Sequence, residues 1–154
     1  MGFDLNNNAG DWFPFFHSEV SPDGSISYFD PTVDAARVEI RLASPEEMEA
    51  IYAKTRTKRV EHVFNPKARK MERIEFIDQT PAQEAEERRL TWDLGIRDWE
   101  DEEPMLGPDG SPIPKTPENK IKLMRIPVFA RFVNRCLELI SGVQEEAKQA
   151  AEKN

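Results

Sequence analysis

Apolar and polar residues alternate in step along several short stretches of the chain, and each stretch predicts a strand. Residues 37–42 run Arg, Val, Glu, Ile, Arg, Leu, a two-residue period that should turn Val38, Ile40 and Leu42 toward a core. A second alternating pair, Arg59–Phe64 and Met71–Ile77, is joined across Asn65-Pro66-Lys67-Ala68-Arg69 and reads as a β-hairpin. Nearer the N-terminus, the aromatic-rich segment Trp12–Val20 is followed by Ser21-Pro22-Asp23-Gly24 and then Ser25–Phe29, where Ile26 and Tyr28 alternate. Proline presets φ, aspartate bonds the nearby backbone and glycine accepts a positive φ, so this too predicts a hairpin.

Between these stretches the period changes to that of a helix, and each change is announced by a cap. In Ser44-Pro45-Glu46-Glu47 the serine caps free N–H groups, proline suits the first helical position and Glu47 completes a capping box. Met48, Ile51 and Tyr52 then give an i, i+3, i+4 face. Thr80-Pro81-Ala82-Gln83 repeats the device and opens a helix to about Leu94, ended by Gly95, with Ala82, Ala85, Trp92 and Ile96 near one face. Thr116-Pro117-Glu118 caps a third helix carrying Ile121, Leu123 and Met124. Pro127 forces a break, after which a long last helix carries Phe129, Phe132, Val133, Cys136, Leu137, Leu139, Ile140 and Val143. Residues 98–115, acidic and then rich in proline and glycine, predict a loop with a turn at Pro108-Asp109-Gly110.

The expected fold is therefore α+β: a small antiparallel sheet of one or two hairpins packed by three to four helices, with a long C-terminal helix. A flexible lead-in is expected over 1–11, a single domain over 12–143, and an exposed helical or fraying tail over 144–154. The 154 residues suffice for one core, to which nine Phe and three Trp supply large side chains. A formal charge of −8 disfavours nucleic acid and anionic membranes as partners unless the charge is segregated. One cysteine excludes an internal disulfide and fits a reducing compartment. Met1-Gly2-Phe3-Asp4 reads as no signal peptide, and the apolar clusters near Phe13–Phe16 and Val128–Ala130 are too short to span a bilayer. A soluble protein of the cytoplasm is expected.

Candidate chemistry is sparse. The sequence holds no glycine-rich phosphate loop, nucleophile elbow, zincin motif or paired-cysteine zinc pattern. His17 and His62 could act as general bases only if the fold brought a carboxylate to them, and they read more simply as strand or surface residues. Cys136, mid-helix on an apolar face, reads as a small hydrophobe rather than a nucleophile. The run Asp98–Glu103 lacks the alternating ligands and glycine turn of a calcium loop, so it reads as a solvated acidic loop. No catalytic residue, metal or cofactor is expected.

Charge segregation points instead to an interaction surface. Lys54, Arg56, Lys58, Arg59, Lys67, Arg69, Lys70 and Arg73 face only Glu61 and Glu72 across that stretch, whereas 75–103 holds eleven acids against Arg88, Arg89 and Arg97. The second hairpin is thus a basic patch, and Arg69, Lys70 and Arg73 are candidate contacts for an acidic partner, for another copy of the chain, or for nucleic acid. The last helix offers a second candidate surface, because Phe129, Phe132, Val133, Leu137 and Ile140 belong to a stripe wider than one packing seam needs. Trp99 is a further candidate anchor.

One set of motifs resembles a known family. Ile96-Arg97-Asp98-Trp99-Glu100, then Asp109-Gly110-Ser111-Pro112-Ile113-Pro114 and Thr116-Pro117-Glu118-Asn119-Lys120, is similar to a pattern in the tail-assembly chaperones of tailed bacteriophages. Lys122-Leu123-Met124-Arg125, Phe129-Ala130-Arg131-Phe132-Val133 and the earlier Arg41-Leu42-Ala43-Ser44-Pro45-Glu46-Glu47 extend the likeness to about half the chain. The acidic loop carrying Pro104, between Trp99 and Asp109, departs from the shorter apolar form of that pattern. The resemblance implies a chaperone that binds the long helical tape-measure protein until the tube polymerises, with the tail-tube protein as a second implied partner. It implies no enzyme and no cofactor. Two other classes stay open: a phage or prophage structural component, such as a connector or minor tail protein, and a nucleic-acid-binding accessory protein using the basic hairpin. Such chaperones are often made in a second, frameshifted form, and Glu152-Lys153-Asn154 is compatible with a slippery codon run.

Overall fold

The computed structural model describes residues 10–152, with the side chains of 143–148 and 151–152 outside that description. The chain is α+β, with seven strands in small antiparallel sheets and four helices among the described residues. The lead-in up to residue 9, the side chain of Val143 and the terminal Lys153-Asn154 of the slippery-run reading lie outside the described residues. Contacts divide the chain into two compact units, one drawn from the chain up to Ala43 and from Trp92 onward, the other Ser44–Thr91.

The first unit is built on a three-stranded sheet in the order β1 (Asp11–Pro14), β4 (Arg37–Ile40), β7 (Ile96–Trp99). Arg37–Ile40 alternates as expected, and as the central strand it buries Val38 and Ile40 completely. Leu42 lies past the strand and packs half-buried against the core. Pro14, which has no N–H to donate, sits at the end of an edge strand. Gly10 passes so close to β4 that a β-carbon there would lie 2.6 Å from the Ile40 carbonyl oxygen. Its N–H donates to Glu39 Oε2 at 3.1 Å.

Strand β7 corrects the expectation of a loop from residue 98 and of Ile96 on a helix face. It pairs with β4 through Val38 opposite Trp99, Glu39 opposite Asp98 and Ile40 opposite Ile96, with a register shift between Glu39 and Ile40. Arg97 is the extra residue, so Ile96 and Trp99, three apart, both turn inward. The first hairpin forms from β2 (Ser18–Val20) and β3 (Ile26–Tyr28) around the predicted Pro22-Asp23-Gly24 turn, where Gly24 has φ +87°. Trp12 and Phe13 belong not to that hairpin but to β1, paired with β4.

Helices α3 (Pro117–Met124) and α4 (Pro127–Glu152) close the unit, separated where Pro127 was expected to break the chain. Thr116 caps α3 by accepting from the Asn119 N–H at 3.2 Å. The core gathers Val38, Ile40, Ile96, Trp99 and Met105 with Phe129, Phe132, Val133, Cys136 and Ile140 of α4. Phe15 and Phe16, between β1 and β2, cover it, with ring centroids 5.1 and 4.9 Å from Phe132.

The second unit contains α1 (Pro45–Thr55), β5 (Thr57–Asn65), β6 (Lys70–Asp78) and most of α2 (Pro81–Gly95). Both predicted capping boxes form: Ser44 with Glu47, and Thr80 with Gln83. The predicted Ala82 and Ala85 packing face of α2 is instead exposed. The inward positions are Gln83, Glu87 and Leu90, so a hydrogen-bonding edge replaces the thin apolar stripe.

Candidate protein-binding surface

The β5–β6 hairpin exposes six large apolar side chains among the described residues. Its strands pair over nine residues each, from Thr57 opposite Asp78 to Asn65 opposite Lys70. The turn is set by Asn65, whose Oδ1 accepts from the N–H of Lys67 at 3.0 Å and of Ala68 at 3.3 Å, an Asx turn. Arg69 then takes a left-handed conformation with φ 51° to reverse the chain.

Residues paired across an antiparallel ladder share a face. One face therefore carries Arg59, Phe76, Glu61, Ile74, Val63 and Glu72, and the other Lys58, Ile77, Val60, Glu75, His62, Arg73, Phe64 and Met71. Neither face is covered. Val60, Val63, Phe64, Met71, Ile74 and Ile77 are all exposed, with Phe64 at 55%, Met71 at 60% and Ile77 at 60%. Charged side chains thread between them in pairs: Arg59 with Asp78 and Glu61, and Arg73 with Glu75 at 2.8 Å. The Arg59 guanidinium also lies 4.4 Å from the Phe76 ring centroid.

At its base the hairpin is tied to both helices of its unit by one polar cluster. Arg56 Nε donates to Glu87 Oε1 at 2.8 Å, Gln79 Nε2 donates to the same oxygen at 3.2 Å, and it also reaches the Thr55 carbonyl at 3.1 Å. Burial alone would raise the Glu87 carboxyl. The bonds from Arg56 and Gln79, the Arg56 charge and the Thr55 hydroxyl together hold it below the usual carboxylate range. Beside this cluster, Glu49, Tyr52, Ala53, Arg56, Lys58 and Ile77 line an open groove of about 500 Å³, with the Arg56 guanidinium 3.6 Å over the Tyr52 ring.

The sequence-predicted contact residues separate into two groups. Arg69, Lys70 and Arg73 are exposed on the hairpin, as expected of a surface. Phe129, Phe132, Val133 and Ile140 are buried in the first unit and Leu137 packs half-buried against them, so these residues of the α4 stripe are core, while Leu139 of the same stripe is exposed. Four separate segments converge on that stripe, which accounts for its width: the β1–β2 aromatics, β4, β7 and α3. Trp99 is likewise buried, and its indole N–H has no partner among the described residues.

The remaining candidates have structural surroundings. Burial pushes the Cys136 thiol up to about 12, against a small lowering by Arg135. His17 stacks on Phe29 at 6.1 Å and lines a 250 Å³ depression with Asp30 and Glu103. His62 lies opposite Arg73 on the hairpin. The acidic run is used to fasten strands: Glu100 grips Arg37 through both carboxylate oxygens, at 2.9 and 3.1 Å, and Asp98 pairs with Lys115 at 3.1 Å. Lys120, missed as a site of interest, is 5% exposed and reaches the Asp93 carbonyl at 3.1 Å and carboxylate at 2.9 Å, a cation closing the end of α2. Among the described residues no group of three or more His, Cys, Asp or Glu side chains is placed to hold a metal ion, and no helix is long and apolar enough to cross a membrane.

Compared with protein-family models, with curated proteins and with solved structures, the chain matches none.

Proposed function

We propose that the chain is a protein-binding assembly factor, a tail-assembly chaperone of a tailed phage, working in the host cytoplasm without catalysis or cofactor. One observation carries the binding half of this reading. The Ser44–Thr91 unit buries only Ile51 and Thr55 yet exposes six large apolar side chains on one hairpin. A two-stranded ribbon uncovered on both faces is marginal in water, and contiguous apolar exposure of this kind marks an interaction site. The phage half rests on the motif resemblance around Trp99 and Asp109–Lys120.

The client implied by that resemblance, a long and mostly helical tape-measure protein, would expose apolar stripes before assembly. Phe64, Met71, Val60 and Ile77 offer an apolar seat, and the interleaved charges keep the free hairpin from collapsing onto itself. Nucleic acid is the weaker partner. Lys67, Arg69 and Lys70 cluster at the tip, but Glu61, Glu72, Glu75 and Asp78 share the strands with the cations.

Co-expression with the tape-measure protein of the same operon tests the reading. The client should stay in the soluble fraction with the wild-type chain and precipitate with a Phe64→Ser/Met71→Ser variant that keeps its far-UV spectrum. A client equally soluble with the variant, or without the chain, would contradict it.

A further inference from the structure

Among the described residues, strand β6 has β5 on one side and no strand on the other, which leaves alternate backbone N–H and C=O groups along its outer edge to pair. Its sequence, Lys70-Met71-Glu72-Arg73-Ile74-Glu75-Phe76-Ile77-Asp78, is complementary to itself read backwards. Laid antiparallel against a second copy about Ile74, the strand sets Lys70 opposite Asp78, Met71 opposite Ile77, Arg73 opposite Glu75 and Ile74 opposite itself. Every charged pair across the two-fold is then of opposite sign except Glu72, which meets Phe76. The two most exposed apolar residues of the strand, each 60% exposed, cover one another.

We propose that the chain forms a two-fold dimer through β6, joining two hairpins into one four-stranded antiparallel sheet. Register supports a single arrangement. Centring the pair on Arg73 or on Glu75 would set that residue against its own like charge, which opposes pairing. The other edge is not equivalent: β5 centred on itself places Glu61 against Glu61, and Lys58 against Phe64. An isologous contact needs such a self-complementary patch, and the edge charges that would repel other strands admit this one. The dimer pairs the edge of β6 and brings Met71 and Ile77 of the client seat beside the two-fold, so it is tested with the chain alone, where no client is present.

Sedimentation equilibrium of the full chain should give twice the 17.7 kDa of one copy. Arg73→Glu should weaken the dimer about tenfold or more, because two favourable pairs become two repulsive ones. Adding Glu75→Arg to the same chain should restore it, since the exchange re-creates both pairs in reverse. Oxidised Ile74→Cys should cross-link to itself, residues directly opposite in an antiparallel pair having Cα atoms about 4.5–5.5 Å apart, whereas Glu61→Cys should not. A chain that stays monomeric at about 1 mM, a dimer indifferent to Arg73→Glu, or a charge exchange that fails to restore pairing would each overturn the proposal.

Discussion

Cys136 shows how a single side chain can be assigned by its neighbours. It is fully buried among Phe132, Val133 and Ile140, and burial holds its thiol near 12 against an ordinary 9.0. Three units mean about a thousandfold less thiolate at neutral pH than in the unfolded chain, and the thiolate is the reactive form. Alkylation by iodoacetamide should therefore be at least about a thousandfold slower in the native protein than in urea; comparable rates would contradict its burial. The sign for stability follows from the raised value. The contribution is fully present below about pH 9 and is lost as pH rises toward about 12. At this scale the sequence was largely readable: the Ser44, Thr80 and Thr116 caps and the Gly24 and Gly110 turns all form, because a cap or turn depends on residues within three positions of itself.

Elements were legible where their sequence period was regular, and were lost where distant contacts broke it. Arg37–Ile40 and both hairpins alternate and are strands. Ile96–Trp99 is a strand whose bulge at Arg97 gives a spacing of three between buried residues, which no two-residue pattern would find. The stripe of α4 was seen correctly as apolar, but its width reflects how many segments cover it, and that information lies elsewhere in the chain. The Glu87 cluster is of the same kind, since Arg56 and Gln79 meet it only after the hairpin has closed. Glu87→Gln should cost the Ser44–Thr91 unit about 1–2 kcal/mol at neutral pH, through loss of charge-assisted hydrogen bonds in a partly exposed site. Its carboxyl is depressed in the fold, so its contribution is present above about pH 4.5 and disappears as pH falls below that value. Chemical denaturation of wild type and variant at pH 7 and pH 3 checks this: the gap should be wider at the first than at the second. An equal gap at both would contradict the cluster's ionic character.

Across the whole molecule, the two units differ in how far they satisfy themselves. The first brings Trp99, Phe129 and Phe132 into a closed core under Phe15 and Phe16. The second keeps Phe64 and Met71 in solvent on the basic stretch that charge segregation had already set apart, with Ile77 exposed just beyond it. The surface that was legible in sequence was thus found through its charge, and its apolar content emerged only once both hairpin faces were seen to be uncovered. A binding hairpin held by a small polar cluster in one unit, and a closed core in the other, is the arrangement on which the chaperone reading depends. Amide hydrogen exchange with and without the tape-measure client, at one fixed concentration of the chain, tests it most directly. Slowed exchange confined to residues 57–78, with the amides of 36–40 and 129–140 unchanged, is the predicted result. Slowing on α4 with the hairpin unaltered, or no slowing anywhere, would contradict it.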